Sequence, residues 1–454
     1  MPLDRREPDR ARAKPFDLDD LQQRTFQWFW DVGDPATGLV PDRWPSKSFC
    51  SIAAVGFALT AYPIGIENGW ITREQGRDRT LATLRFFANA KQGAEASGVT
   101  GYKGFFYHFI DMAKGERFET VELSSIDTTL LLGGMLFAAG WFDRDDAAER
   151  EIRDLANRIY ARVDWQWMAG QRPFVSMGWT PESGFIASQW DRYNEAMLLY
   201  LLAFASPTYP IDPAYWQRLS RNFELNWGRH WGEDYIDFPP LFGHQYSHVW
   251  VDFRGIGDAY IRSKGIDYFE NSRRATRAQR NYAIQNPGGW SGYDKDVWGL
   301  TACDGPGDFT ATIGRRPREF FSYSARGPAD RDDGTLAPTA LGGSIAFAPE
   351  IVEPALAAMV ARYGAAIYTR YGFLDSFNPT LADPALTPKL AAGRIVPGVG
   401  WVDTDYLGID QGPIVAMIAN HRRDAVWRVM RRSPPIVAGL RRAGFTGGWL
   451  DAAP

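Results

Sequence analysis

Cysteine is scarce: Cys50 and Cys303 are the only two in 454 residues. They lie far apart and no CxxC pair occurs. That excludes a zinc–thiolate site and points to two buried thiols rather than a disulfide. An excess of positive charge is also missing. The formal net charge is −4 and there is no basic tract, so nucleic acid and anionic membrane are poor partners. No segment approaches the ~20 consecutive apolar residues of a membrane span. The first sixteen residues, MPLDRREPDRARAKPF, lack the apolar centre of a signal peptide and read as a flexible charged arm. From the sequence as given the expectation is a cytoplasmic protein, or a periplasmic one if a leader has been trimmed. No GxSxG elbow, Walker A loop or convincing dinucleotide fingerprint appears, so serine-nucleophile and nucleotide chemistry have no foothold.

What is present is aromatic. Phe, Trp and Tyr make up 14% of the chain, with 18 Trp. Beyond core packing, that content suits stacking on flat apolar faces such as sugar rings.

Hydropathy alternates along the chain. Ser51–Ile66, Ser125–Phe142, Tyr193–Ser206, a segment opening at Gly343–Ala348, and Gln411–Asn420 are apolar or small on nearly every face. Asp17–Val32, Thr72–Lys91, Asp143–Val163, Asp212–Trp227, Asp267–Gln285, Val352–Arg362 and Arg422–Arg432 are amphipathic or charged. A helix apolar all round is buried, and one with a single apolar stripe lies outside. The pattern predicts an all-α fold, an (α/α)6 barrel of six inner and six outer helices, forming a single domain over residues 17–454. Two long stretches without helical periodicity, 286–348 and 371–403, are expected to wall a cleft.

Polar motifs sit at or just before the starts of the inner helices: ETVELSSID (119–127), SQWDRYNE (188–195), LFGHQYSHVWVDFR (241–254), DDGTLAPTALGGS (332–344) and WVDTDYLGIDQGP (401–413). Glu195 lies at the boundary between polar residues and an apolar run. A carboxyl there is partly desolvated, which raises its pKa toward that of a general acid. The competing reading is a carboxylate that serves the helix N-terminus. Asp410 has an equally plain structural reading as an N-cap. Of Glu122 and Asp127, one reads as a cap and the other as facing the cleft. HQYSH places His244 and His248 at i, i+4, with Gln245 where a zincin has its glutamate. Asp252 could complete a metal set, but hydrogen bonding of sugar hydroxyls by His244, Gln245 and His248 is the preferred reading. Paired carboxyls and an aromatic cleft point to a glycoside hydrolase.

The motifs LFGHQYSHVWVDFR, ENSRRAT, YAIQNP, VWGLTACDGP, DDGTLAPTALGGSIAFAPE, YGFLDSFNP and YLGIDQGPIVAMIANHR together resemble the bacterial glucoamylase-like domain family, which includes the endo-β-1,2-glucanases of glycoside hydrolase family 144. The resemblance spans roughly residues 17–432. It implies an (α/α)6 barrel and an inverting mechanism on β-1,2-glucan without a metal or other cofactor. Glu195 matches the family's acid and Asp410 its essential aspartate, while Glu122 and Asp127 match further acidic cleft positions. Tyr193, His244, Gln245, His248, Trp250, Asp252, Arg254, Asp304, Arg326 and Trp401 complete the expected substrate-binding set. A monomer with a β-glucan as its partner is expected. An exo-acting or glycosyltransferring relative and a non-catalytic carbohydrate-binding protein are the alternatives.

Overall fold

A computed structural model describes residues 16–452; apart from Phe16, the charged arm lies outside the described residues. The chain is mostly helical. Segments apolar on every face are interior helices. In Ile52–Glu67 every residue from Ile52 to Gly65 is buried, and in Met197–Ala205 every residue from Met197 to Phe204 is buried. The amphipathic Ala147–Arg162 instead buries one stripe that includes Ile152, Leu155, Ala156 and Ile159, at helical spacing. Caps set several helix starts. The side chains of Asp17, Ser51 and Asp267 accept backbone N–H groups, and Thr72 and Gln75 form a capping box.

The interior helices touch in series. Ile52–Glu67 packs on Ser125–Trp141, which packs on Met197–Ala205, which packs on Phe242–Trp250. Gln245 Nε2 joins that helix to Pro338–Gly342 by bonds to Ala340 O at 2.9 Å and Ser344 Oγ at 2.8 Å. Pro338–Gly342 packs on Gly408–Arg423, which returns to Ile52–Glu67. The closest approach in this series needs glycine. A Cβ on Gly134 would lie 2.0 Å from Gly56 O, so two backbones meet with no side chain between them. Leu18–Val32, Arg73–Asn89, Ala147–Arg162, Tyr268–Gln285 and Pro349–Tyr363 pack against this inner set.

The structure departs from the expected pattern in four places. The motif LFGHQYSHVW does not merely precede or begin the fourth inner helix but makes up the whole of it, Phe242–Trp250. The fifth inner helix is the short Pro338–Gly342, starting five residues before the small-residue segment. Arg422 and Arg423 finish the inner helix Gly408–Arg423, which ends at Asp424 in a left-handed conformation (φ 53°), so no outer helix spans 422–432. It is Pro434–Arg442 that lies along Met197–Ala205, with Gly439 against the backbone of Leu201. The fold also contains strands that an all-α reading omits. They are two to five residues long and antiparallel, including a five-stranded sheet in the order Gly101–Tyr102, Phe105–Tyr107, Leu123–Ser124, Gly178–Thr180, Gly184–Phe185.

Both cysteines are buried free thiols. No helix of the described residues is long and apolar enough to cross a membrane.

Candidate active site

Three inner helices are entered through short strands: Cys50–Ser51 into Ile52, Leu123–Ser124 into Ser125, and Tyr406–Leu407 into Gly408. Strand pairing draws their loops together. Arg43–Trp44 pairs with Tyr406–Leu407, and Asp42 O accepts from Gly408 N at 2.8 Å. Asp410 therefore sits in the first turn of Gly408–Arg423. It is not the cap, because Leu407 occupies that position. Thr339 Oγ1 donates to Asp410 O at 2.7 Å and fixes the turn from the neighbouring inner helix. Glu195 lies two residues before Met197, outside the helix. Its carbonyl accepts from Ser247 Oγ at 2.6 Å, on the fourth inner helix.

Both carboxyls are buried: Glu195 is 8% exposed and Asp410 1%. Glu195 Oε2 and Asp410 Oδ2 have no hydrogen-bond partner among the described residues, which is unusual for buried polar atoms. Burial pushes Glu195 up to about 7, helped by the charge of Asp127. Burial likewise pushes Asp410 up to about 8, with the charges of Asp304 and Asp42 adding to it and Asp375 and Arg43 opposing. Tyr246, on the fourth inner helix, feels the charges of both Asp410 and Glu195.

Two groups of charges flank this pair. On the Glu195 side, His108 lies between Glu122 and Asp127. Its Nδ1 is 2.8 Å from Glu122 Oε1 and its Nε2 is 3.5 Å from Asp127 Oδ1. Ser124 Oγ donates to Asp127 Oδ2 at 2.5 Å. Burial alone would lower His108, but the two carboxylates override it and raise the imidazole to about 9. On the Asp410 side, Asp304, Asp375 and Asp403 bring carboxylate oxygens within 4.8 Å of one another, a spacing a cation could bridge. The chain supplies positive charge there itself, since Arg43 Nη1 reaches Asp304 Oδ2 at 2.5 Å. Burial raises Asp375 and Asp403 well above the usual carboxylate range.

Of the expected site residues, the structure thus gathers Glu122, Asp127, Glu195, Asp304 and Asp410. It gives the others different surroundings. Tyr193 is buried, with its hydroxyl 3.3 Å from Ser272 Oγ and its ring stacked on Tyr268. His248 Nε2 meets the same Ser272 Oγ at 3.1 Å. His244 is enclosed by the Tyr193 and Tyr235 rings, and burial lowers it to about 3, so it is neutral. Gln245 is engaged between helices. Trp250 is fully buried against Phe57, with its Nε1 donating to Thr60 Oγ1 at 3.1 Å. Asp252 is paired to Arg254 and Arg431 beyond the C-terminal end of its helix, so the metal set His244, His248 and Asp252 does not converge. Arg326 is 0% exposed and forks onto Asp333, and Trp401 Nε1 donates to Ala392 O.

Several residues near the pair were not singled out. Arg43 and Asp42 lie in TGLVPDRWP, Asp375 in YGFLDSFNP and Tyr323 in FFSYSARGP, all segments of unusual composition. Tyr323 keeps 51% of its surface open beside Asp410, Asp42 and Asp375. His108 carries no sequence signal, being one histidine in an aromatic run, GFFYHFI.

The site thus sets one buried carboxyl just before an inner helix and another in the first turn of a second. Residues 187–434 match the family model described as "Putative glucoamylase", and the chain belongs to that family. A crystal structure from Bacteroides uniformis ATCC 8492 of a protein so described is 30% identical, with a TM-score of 0.80, covering 97% of this chain and 100% of that one. The exo beta-1,2-glucooligosaccharide sophorohydrolase (non-reducing end) of Parabacteroides distasonis is 27% identical over 458 residues, 94% of this chain. The chain spans 57% of the length of that curated relative. The endo-beta-1,2-glucanase from Chitinophaga pinensis, solved with sophorotriose and glucose, shares the fold at 24% identity and a TM-score of 0.77, with 96% and 100% of the two chains covered.

Proposed function

We propose that this chain is an (α/α)6-barrel glycoside hydrolase that cleaves β-1,2-glucan or β-1,2-glucooligosaccharides with inversion. The observation that carries the reading is the pair of buried carboxyls, Glu195 and Asp410, both held above the ordinary carboxylate range, with Glu195 Oε2 lacking a partner among the described residues. A buried acceptor without a donor is stabilised when a substrate hydroxyl or water supplies one. Glu195, held protonated near neutral pH, is the general acid and gives its proton to the leaving glycosidic oxygen. Asp410 is the general base. It takes a proton from the attacking water, directly or through an intervening water or sugar hydroxyl, as the C–O bond to the new hydroxyl forms and the glycosidic C–O bond breaks. Glu122 and Asp127, clamped by His108, and Asp304 bind sugar hydroxyls.

The names of the relatives support the linkage and leave the mode of attack to the test. Purified protein is incubated with linear β-1,2-glucan and the products are sized over time. An early ladder of oligosaccharides identifies an endo-hydrolase, and a single disaccharide from the start identifies an exo enzyme. No product, or product formed equally well by Glu195→Gln, refutes the reading.

A further inference from the structure

Asp375 stands out among the acidic residues near Asp410 by the different fates of its two oxygens. Oδ2 accepts the backbone N–H of Asp304 at 2.8 Å. Oδ1 is buried with no partner among the described residues, as is Oδ2 of Asp410. The residue itself is fixed: its N–H donates to Asp405 O at 3.0 Å, and the adjacent Ser376 Oγ donates to Asp304 O at 2.7 Å. The Asp375 and Asp410 carboxyls are within hydrogen-bonding contact of each other. With both ionised, that contact has two acceptors and no donor. Two like charges in a buried site cannot both persist, so one proton must be held between them.

The neighbourhood favours Asp375 as its holder. Asp304 crowds Asp375 with further negative charge. Arg43, the cation in contact with the group, is bound to Asp304 and Asp42 rather than to Asp375. Tyr246 and Tyr323, the phenols that feel the charges of Asp410 and Asp375, are held neutral by burial and those charges. The Asp304 N–H fixes Oδ2 as an acceptor, which leaves Oδ1 to carry a proton.

Resting on the functional reading above, we propose that Asp375 is a positioning residue for Asp410: as a neutral acid it donates the Oδ1–H hydrogen bond to the Asp410 carboxylate once Asp410 has ionised, and aims that carboxylate at the water it deprotonates. During turnover Asp410 gains the water's proton while Asp375 keeps its own, and Asp410 returns its proton to solvent after product leaves.

Two substitutions and one spectrum test this. Asp375→Asn preserves an acceptor for the Asp304 N–H and a neutral donor for Asp410. It should keep kcat on linear β-1,2-glucan within about fivefold. Asp375→Ala removes the donor and should lower kcat about 100-fold with KM changed by less than about threefold, the signature of a lost transition-state interaction. The infrared difference spectrum of the unliganded wild type minus Asp375→Asn at pH 7 should contain the carbonyl stretch of a protonated carboxylic acid. Overturning results are a folded Asp375→Asn as inactive as Asp375→Ala, an Asp375→Ala as active as wild type, or a difference spectrum showing loss of a carboxylate instead. The spectrum needs no substrate. If the acid band is found while wild type leaves β-1,2-glucan uncut, the shared proton stands and the substrate assignment fails.

Discussion

The helix Gly408–Arg423 has buried carboxyls near both of its ends, and they behave oppositely. Asp410 lies in its first turn. About 21 Å along the axis, at 1.5 Å per residue, the C-cap Asp424 meets Arg254 and Arg431, and with them Asp252. Asp252 is as buried as Asp410, at 2%, but every visible need is met: Arg254 Nε at 2.8 Å on one oxygen, and Arg254 Nη2 at 3.0 Å and Arg431 on the other. Arg254 also lies over the Trp427 ring, 4.2 Å from its centroid. The Asp410 end has an excess of carboxyls, one guanidinium in contact, and orphaned oxygens. Burial is common to both ends; the difference is whether the protein completes the charge. A completed charge holds the fold, and an incomplete one is available to a ligand.

Substitution should separate the two ends cleanly. The largest effect falls on activity at the first. Glu195→Gln and Asp410→Asn should each lower kcat on β-1,2-glucan by about 1,000-fold or more, without loss of folded protein, because each change keeps the volume and removes a proton-transfer group. Steady-state kinetics together with thermal melts check this. Asp252→Ala should do the reverse. It removes the buried carboxylate that Arg254 and Arg431 share and leaves them Asp424, at a cost of about 1–3 kcal/mol in unfolding free energy for the lost charged hydrogen bonds, with activity per folded molecule unchanged. Urea titration alongside active-enzyme quantitation distinguishes the two classes. A large loss of kcat in a fully folded Asp252→Ala protein would break the comparison.

The same contrast has a pH signature. Glu195 is raised from its ordinary 4.5 to about 7, chiefly by burial. A group with a raised folded pKa stabilises the fold at pH values below its unfolded pKa, and that contribution is lost as pH rises through the folded value. Wild-type stability should therefore decline between about pH 4.5 and pH 7 through this residue. Glu195→Gln, which cannot ionise, should be the more stable protein at pH 8, by up to about 3 kcal/mol. Unfolding free energies of the two proteins at pH 5 and pH 8 measure the difference, and equal pH slopes would refute it. Catalysis needs Glu195 protonated and Asp410 ionised; with the two at about 7 and about 8 this form is the minor one and is most populated between those values, so the rate profile should be a narrow bell in that range.

How much of this could be read in the sequence follows from what each feature depends on. The inner helices were legible because burial on every face is written locally, in runs such as Ser125–Phe142. Glu195 and Asp410 were legible as polar residues at the edge of such runs, although the sequence could not show that Leu407, not Asp410, caps its helix. The strands were not legible: a two-residue strand such as Tyr406–Leu407 exists only because Arg43–Trp44, more than 350 residues away, pairs with it. The densest polar and aromatic stretch, HQYSHVW, drew attention for a reason that proved internal. Gln245 ties two inner helices, His248 bonds Ser272, and Trp250 bonds Thr60. A buried helix needs polar partners for such groups, and Gln245, Trp250 and His248 Nε2 find them inside, whereas both ring nitrogens of His244 and Nδ1 of His248 have none among the described residues. Asp375 lay inside a noticed motif, but its chemistry depends on Asp410, which arrives from 35 residues further on.

His108 gives the smallest and most local effect. It has no sequence signal, yet it links Glu122 and Asp127, the two acidic residues expected beside the acid. Its imidazole is raised to about 9 by those carboxylates against the pull of burial. The clamp therefore stabilises the fold below His108's ordinary pKa of 6.5, and its contribution fades as pH rises through about 9. Glu122→Gln keeps an oxygen for the ring but removes the charge nearest to it. The His108 titration, followed by the NMR signal of its ring proton, should then drop by about one unit, since one unit corresponds to about 1.4 kcal/mol and a half-exposed ion pair contributes about that much. Activity should fall only severalfold, through weaker sugar binding. If His108 keeps its high titration in Glu122→Gln, then Asp127, with Asp42, holds it, and the flank beside Glu195 would resemble the completed charges around Asp252 more closely than the open ones around Asp410.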